Sequence, residues 1–277
     1  MPGATLITGC SSGIGRALAE EFNRRGHVVY ATARRIETLD DLKARGIRTA
    51  ALDVNDQESI EALMGSLAED GMAIETLVNN AGYGAMGPLA ELPPDELQRQ
   101  FDTNVFAVVA LIQAVVPGMA ERRSGRIVNI GSVSGVLPSP FSGAYSASKA
   151  AVHALSDSLR VELAPFGIHV ITVQPGAIES RFGATAGAEA ARRSEALSLY
   201  APVADAIAAR SEASQQRPTP ADVFARKLVD SVSAENPRPL VRIGRASLLL
   251  PLMKQWLPTR VLDRGLSRRF GLDRLRR

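Results

Sequence analysis

Tyr145 and Lys149 stand four residues apart in Tyr145-Ser146-Ala147-Ser148-Lys149, an otherwise uncharged run that opens a strong helical pattern. On a helix this spacing puts both side chains on one face, about one turn apart. A phenol with a pKa of ~10 is a poor acid at neutral pH, and a neighbouring ammonium favours its phenolate. A tyrosine tuned in this way passes a proton to or from an alcohol oxygen. Alone, the same spacing also describes a surface pair on an amphipathic helix, so the rest of the chain has to decide.

The chain opens as strand, glycine turn, helix, strand. The apolar run Ala4–Ile7 leads into Thr8-Gly9-Cys10-Ser11-Ser12-Gly13-Ile14-Gly15, a helical face built from Ala17, Leu18, Ala19 and Phe22 stops at Gly26, and Val28–Ala31 follows as a strand. A glycine turn at a helix N-terminus lets backbone N–H groups approach a pyrophosphate, whose charge the helix dipole favours. The spacing is Gly-x3-Gly-x-Gly, a departure from the usual Gly-x-Gly-x-x-Gly. After the second strand, Ala31-Thr32-Ala33-Arg34-Arg35 has no carboxylate until Glu37, where an NAD site usually keeps an acid for the ribose hydroxyls. Two guanidiniums suit a 2′-phosphate, so NADP(H) is the preferred cofactor and NAD(H) the weaker fit.

Further along, Arg48–Leu52 reads as a strand ending at Asp53, Gln57–Ala68 as a helix, and Thr76–Val78 as a strand entering Asn79-Asn80-Ala81-Gly82. Pro93-Pro94-Asp95 starts a helix that continues into a long apolar helical stretch carrying Asn104. The apolar span from Thr103 to Ala120 contains Asn104, Gln113 and Pro117, which favours a buried helix over a membrane crossing. Arg126–Ile130 is a buried strand ending at Gly131-Ser132, a helix runs from Tyr145 to Ala164, and strand Ile168–Val173 ends at Gln174-Pro175-Gly176. This alternation predicts an α/β fold with a doubly wound parallel sheet and a ligand site at the carboxyl ends of its strands.

Composition narrows the class. The chain has 277 residues, 45% of them hydrophobic, and its single cysteine, Cys10, excludes an internal disulfide framework and a cysteine zinc cluster. Cys10 reads as a small turn residue, and His153 as a helix-packing residue. Met1-Pro2-Gly3-Ala4 runs straight into a strand, so a cytoplasmic protein is expected. The net charge of +3 comes from the C-terminus: residues 238–277 hold eleven Lys and Arg against two Asp, leaving the preceding body net acidic. Nucleic-acid binding by that body is not supported.

The ordered set Thr8-Gly9-x3-Gly13-x-Gly15, Asn79-Asn80-Ala81-Gly82, Asn104, Ser132, Tyr145-x3-Lys149 and Pro175-Gly176 resembles the short-chain dehydrogenase/reductase family in its compact form, over about residues 4 to 180. The resemblance implies a Rossmann-type sheet flanked by helices on both faces, a nicotinamide cofactor and carbonyl/alcohol redox chemistry. It implies that Tyr145 is the general acid/base, that Lys149 lowers its pKa and holds the nicotinamide ribose, and that Ser132 positions the substrate oxygen. It also implies that Asn104 holds a water through which protons reach Lys149. The cofactor contacts carried over are Gly9, Ser11, Ser12, Gly13, Ile14 and Gly15 in the turn, Arg34 at the phosphate, Asp53 and Val54 at the adenine, Asn80, Ala81 and Gly82 near its ribose, and Pro175 and Gly176 facing the nicotinamide. Within the family, Tyr30-Ala31-Thr32-Ala33-Arg34 and Phe141-x3-Tyr145 are similar to a branch of 17β-hydroxysteroid, retinol and acyl-dihydroxyacetone-phosphate reductases. That likeness implies a lipophilic carbonyl or alcohol substrate. It also implies a homodimer or homotetramer paired through the helices near 103–122 and 145–164. Epimerases and dehydratases share a Tyr-x3-Lys site but usually carry a larger C-terminal domain. Nucleotide-sensing proteins without turnover often lose the tyrosine or lysine, and both are present here.

Residues 1–245 thus read as one dinucleotide-binding domain. Within it, 183–217, poor in large apolar groups, corresponds to the family's mobile lid, and Met86, Leu137, Phe141 and Tyr200 are expected pocket walls. Residues 246–277 form a basic amphipathic helical extension. Ser247–Leu257 is apolar with Trp256, and arginines from Arg260 to Arg277 alternate with Val261, Leu262, Leu266, Phe270, Leu272 and Leu275. Such a segment either lies on an anionic membrane surface or caps the pocket.

Overall fold

The computed structural model describes residues 3–193 and 197–275; Met1 and Pro2, residues 194–196 of the expected lid, and Arg276 and Arg277 of the tail lie outside the described residues. In order, the elements are β1 (Gly3–Ile7), α1 (Gly13–Arg24), β2 (Val28–Ala33), α2 (Asp40–Ala44), β3 (Arg48–Ala51), α3 (Gln57–Glu69), β4 (Ala73–Asn79), α4 (Pro94–Phe101), α5 (Ala107–Arg122), β5 (Gly125–Ile130), α6 (Gly143–Leu163), β6 (Ile168–Pro175), α7 (Phe182–Arg193), α8 (Ala204–Glu212), α9 (Ala221–Val232), β7 (Leu240–Ile243), α10 (Leu249–Trp256) and α11 (Thr259–Arg269). The seven strands form one sheet in the order β3-β2-β1-β4-β5-β6-β7, every neighbouring pair parallel. The expected doubly wound α/β fold is borne out.

Strand periodicity divides the core in two. Neighbouring residues in a strand face opposite sides of the sheet. Thus Leu6, Leu77, Ile127 and Val170 pack with Ile60 and Leu63 of α3 and with Leu111, Ile112 and Val115 of α5. Their neighbours Ile7, Val78, Val128 and Ile171 pack on the other face with Leu18 and Phe22 of α1 and Phe224 and Leu228 of α9. Among the described residues one helical run, Pro94–Arg122, is long and apolar enough to cross a membrane by length and composition. Its Val108, Leu111, Ile112, Val115 and Met119 are buried on the sheet, as a core helix requires.

Strand order reverses between β1 and β4, because β1 continues to β2 on one side while β4 continues to β5 on the other. The two crossovers lie on opposite faces and leave a crevice beyond the carboxyl ends of the strands. A buried chain of side chains ties the central strands to α6: Asn79 Nδ2 donates to Asn129 Oδ1 at 2.9 Å, Asn129 Nδ2 to Ser156 Oγ at 2.9 Å, and Ser156 Oγ to the Val152 carbonyl at 2.6 Å.

A third apolar cluster sits above the crevice. It joins Ala186 of α7 and Val203 and Ile207 from around the start of α8 to Met86, Phe141 and Phe270. Ala186, Val203 and Ile207 of the expected lid, a segment poor in large apolar groups, thus join a core to which the C-terminal segment adds Phe270. The two are also clamped electrostatically: Arg274 donates to both oxygens of Asp205 on α8, at 3.1 and 2.7 Å.

Candidate active site

A cavity of about 1890 Å³ opens at the carboxyl ends of the strands. Of the expected site residues, Gly9, Ser11, Ser12, Gly13, Ile14, Arg34, Asp53, Val54, Asn80, Ala81, Gly82, Ser132, Tyr145, Lys149, Pro175 and Gly176 all line it; Gly15 and Asn104 lie just behind its wall.

The turn after β1 is shaped for close approach. Gly9 has φ +72°, and a Cβ there would come within 2.9 Å of the Ala81 Cα. Thr8 Oγ1 accepts from the N–H groups of Asn80 and Ala81, and Asn80 Nδ2 donates to the Thr8 and Gly9 carbonyls at 2.8 and 3.2 Å. Gly15 is needed behind this turn, since a Cβ there would collide with Asn80 and with the Gly9 carbonyl. Helix α1 begins at Gly13 with no side-chain cap on Ser12 and no acid in its first turn, which leaves its positive end for an anion. Arg34, at the end of β2, is exposed on the cavity and has no carboxylate partner among the described residues, whereas Arg35 does not line it. A glycine cradle, an open helix N-terminus and an unpaired arginine fit a phosphorylated dinucleotide.

The reacting end is built from β5 and α6. Tyr145 is the third residue of α6, and Lys149, one turn on, is buried and donates from Nζ to the Ile130 carbonyl at 2.7 Å. Ser132 caps the turn after β5 by accepting from the Ser134 N–H at 3.1 Å, and its hydroxyl also reaches the Tyr145 phenol. Behind it the ring of His153 accepts from the Ser132 N–H at 3.3 Å. Burial, with the Lys149 charge adding to it, lowers the His153 pKa to about 4, so that ring is neutral. His153 packs as expected, and it also anchors Ser132, a role no sequence signal shows.

Burial raises the Tyr145 phenol above its usual value, while the Ser132 hydroxyl and the Arg210 charge lower it. The ammonium is aimed at Ile130, with Nζ 6.0 Å from the centre of the phenol ring, and its own desolvation lowers its pKa to about 8. Asn104 is fixed by protein: Oδ1 accepts from the Tyr83 N–H at 3.2 Å, and Nδ2 donates to the Tyr83 carbonyl and to Ser148 Oγ, both at 3.0 Å. A π-helical turn over Asp102–Phe106, between α4 and α5, sets it there.

Among the expected walls, Met86 and Leu137 face the cavity. Phe141 and Tyr200 stand behind it, edge to face with ring centres 6.1 Å apart. Sequence reasoning missed Phe182, whose ring lies 5.1 Å from that of Tyr145, and Ser139 and Arg210 beyond it. It left open which way the tail turns: Met253, Leu257, Leu262, Leu266 and Phe270 line the cavity, so α10 and α11 roof it. Cys10, the expected turn residue, is buried, its thiol donates to the Ile7 carbonyl at 3.2 Å, and burial pushes its pKa up to about 12.

The family model described as short chain dehydrogenase matches residues 4–191. The chain is 38% identical over 181 residues to 3-ketodihydrosphingosine reductase of Bacteroides thetaiotaomicron, covering 65% of this chain and 66% of that one. It is 38% identical over 178 residues to NADPH-dependent 1-acyldihydroxyacetone phosphate reductase of Schizosaccharomyces pombe, covering 64% and 60%. The matches thus span slightly less than two thirds of those relatives' own lengths. Among solved structures, a short-chain dehydrogenase from Streptomyces avermitilis aligns with a TM-score of 0.79 at 31% identity, over 99% of this chain and 97% of that one.

The buried ammonium has a measurable signature. Because the folded state lowers the Lys149 pKa from 10.5 to about 8, the unfolded chain binds the extra proton between those pH values. Stability on this account rises with pH through that window, and the full cost of about 3 kcal/mol applies below it. Lys149→Met is expected to remove this rise. Urea denaturation of both proteins at pH 7 and pH 10 checks it, and a wild-type-minus-variant difference that is the same at both pH values contradicts the buried-cation account.

Proposed function

Since the chain belongs to the short-chain dehydrogenase/reductase family, we propose that it is an NADP(H)-dependent oxidoreductase that interconverts a lipophilic ketone or aldehyde and its alcohol. The observation that carries this reading is the convergence of Ser132, Tyr145 and Lys149 on the same cavity as the Gly9–Gly15 turn and Arg34. Bound there, the nicotinamide supplies or accepts the hydride. The protein's part is to position the substrate, polarise its oxygen and move one proton.

In this reading Ser132, fixed by its own turn and by His153, donates a hydrogen bond to the substrate oxygen. Tyr145 supplies the proton. Its raised pKa keeps the phenol protonated at neutral pH, the form needed to reduce a carbonyl; oxidation of an alcohol calls for the phenolate. Lys149 holds the nicotinamide ribose and gives a proton back to the phenolate, which solvent then replaces on the amine. Arg34 takes the 2′-phosphate, Asp53 and Val54 the adenine, and Asn80, Ala81 and Gly82 its ribose, with Pro175 and Gly176 facing the nicotinamide. The apolar roof and the names of the two reductases above support a lipophilic substrate.

The outer face of the roof extends the proposal to a membrane. Leu248, Leu252 and Trp256 are exposed, Trp256 by 75%, among exposed Arg260, Arg264 and Arg268. Apolar side chains ringed by guanidiniums suit the surface of an anionic bilayer, from which a lipophilic substrate would enter beneath α10 and α11.

Tyr145→Phe is expected to keep NADPH affinity within a few-fold while lowering kcat/KM for a reducible apolar ketone by roughly 100-fold or more. Unimpaired turnover removes Tyr145 as the proton donor. Arg34→Asp should shift preference from NADPH toward NADH, through loss of a phosphate partner and gain of a hydroxyl acceptor; an unchanged ratio of kcat/KM for the two cofactors contradicts the phosphate assignment. Co-sedimentation with phosphatidylglycerol-containing vesicles is expected for the wild type and lost in Leu252→Asp/Trp256→Asp. Equal sedimentation of the two proteins, or none by the wild type, removes the membrane contact.

A further inference from the structure

Arg210, on α8, points its guanidinium into the reacting end of the cavity. Its Nε donates to Ser139 Oγ at 2.7 Å, and its charge is felt at Tyr145. No carboxylate pairs with it among the described residues. On its own helix, Asp205 is committed to Arg274. Burial lowers the Arg210 pKa, the neighbouring Tyr145 opposes that shift, and a second cation, Arg269, adds to it. Arg269, at the end of α11, lines the same cavity beside Phe270 and likewise has no described carboxylate partner.

A half-buried guanidinium with a second cation beside it opposes folding unless something compensates it. The phosphates of a dinucleotide are poorly placed to do so. The Gly9–Gly15 turn follows β1 and Arg34 follows β2, whereas Ser139 follows β5. β5 stands two strands from β1 and three from β2, about 10 to 14 Å away at ~4.8 Å per strand. Around the two arginines the walls are Met86, Leu137, Leu262, Leu266 and Phe270. This combination pairs a compact cationic corner with a long greasy chamber.

We propose that Arg210, with Arg269 beside it, binds an anionic group of the substrate, a phosphate or a carboxylate, close to the carbonyl served by Tyr145. The substrate is then an amphiphile, with its charged end at Ser139 and Arg210 and its hydrocarbon under α10 and α11. Arg210 forms charge-assisted hydrogen bonds to the anion, and Ser139 holds the guanidinium in place while the site is empty. This assignment rests on the carbonyl-reductase reading for its substrate, but its test does not depend on turnover.

Calorimetric titration of decyl phosphate, decanoate and decanol into the full-length protein saturated with NADP+ separates charge from chain. At least one anion should bind about 10-fold or more tightly than decanol, and the tighter of the two identifies the head group. Arg210→Gln should bring both anions to within a few-fold of decanol without changing decanol itself, and Arg210→Lys should keep much of the preference. Arg269→Gln, at an exposed position that folding tolerates, should remove a smaller part. Equal affinity for all three ligands in the wild type, or equal loss for all three in Arg210→Gln, overturns the proposal. Failure to reduce any ketone would count against the reductase reading and leave this binding result intact.

Discussion

A single buried ammonium holds the reacting end of this protein together. Lys149 is withdrawn from water and spends a hydrogen bond on the carbonyl at the end of β5. That bond pins α6 against the sheet and so fixes where Tyr145, one turn earlier, meets Ser132. A cation in such a place opposes folding, and no carboxylate relieves it among the described residues. The neighbouring parts are consistent with a site arranged around that cost. His153 is kept neutral next to it, the Tyr145 phenol stays protonated, and Asn104 is held rigidly by backbone and Ser148 just beyond Gly82.

The dinucleotide half follows from local rules. Gly9, Gly13 and Gly15 mark a turn that only glycines satisfy, alternating apolar runs give the strands, and the missing acid after β2 shows in the sequence as plainly as in the structure. These features depend on a few residues each, so one chain suffices to read them. Electrostatics at the reacting end were less legible. The spacing of Tyr145 and Lys149 gives their shared face but not which group the ammonium bonds or how dry the phenol is. Asn104 was visible as a residue, but the π-helical turn that aims it is a backbone irregularity with no residue signature.

The substrate half was the least legible, for a different reason. Its walls come from segments far apart in sequence: the turn after β5, the lid helices and the last thirty residues. An arginine such as Arg210 on a short, alanine-rich helix is usually solvated, and nothing in its neighbours along the chain shows that it faces inward. The lid has few large side chains of its own. It packs because Val203, Ile207 and Ala186 borrow Met86, Phe141 and Phe270 from elsewhere.

The bond between Asp205 and Arg274 ties the lid to the last turn of the chain. The sheet is closed by β7, yet the ceiling of the chamber comes from α10 and α11, which follow it. Platform and ceiling are thus separate stretches of chain, and changes confined to α10 and α11 would reshape the chamber while leaving the strands and the turn after β1 untouched.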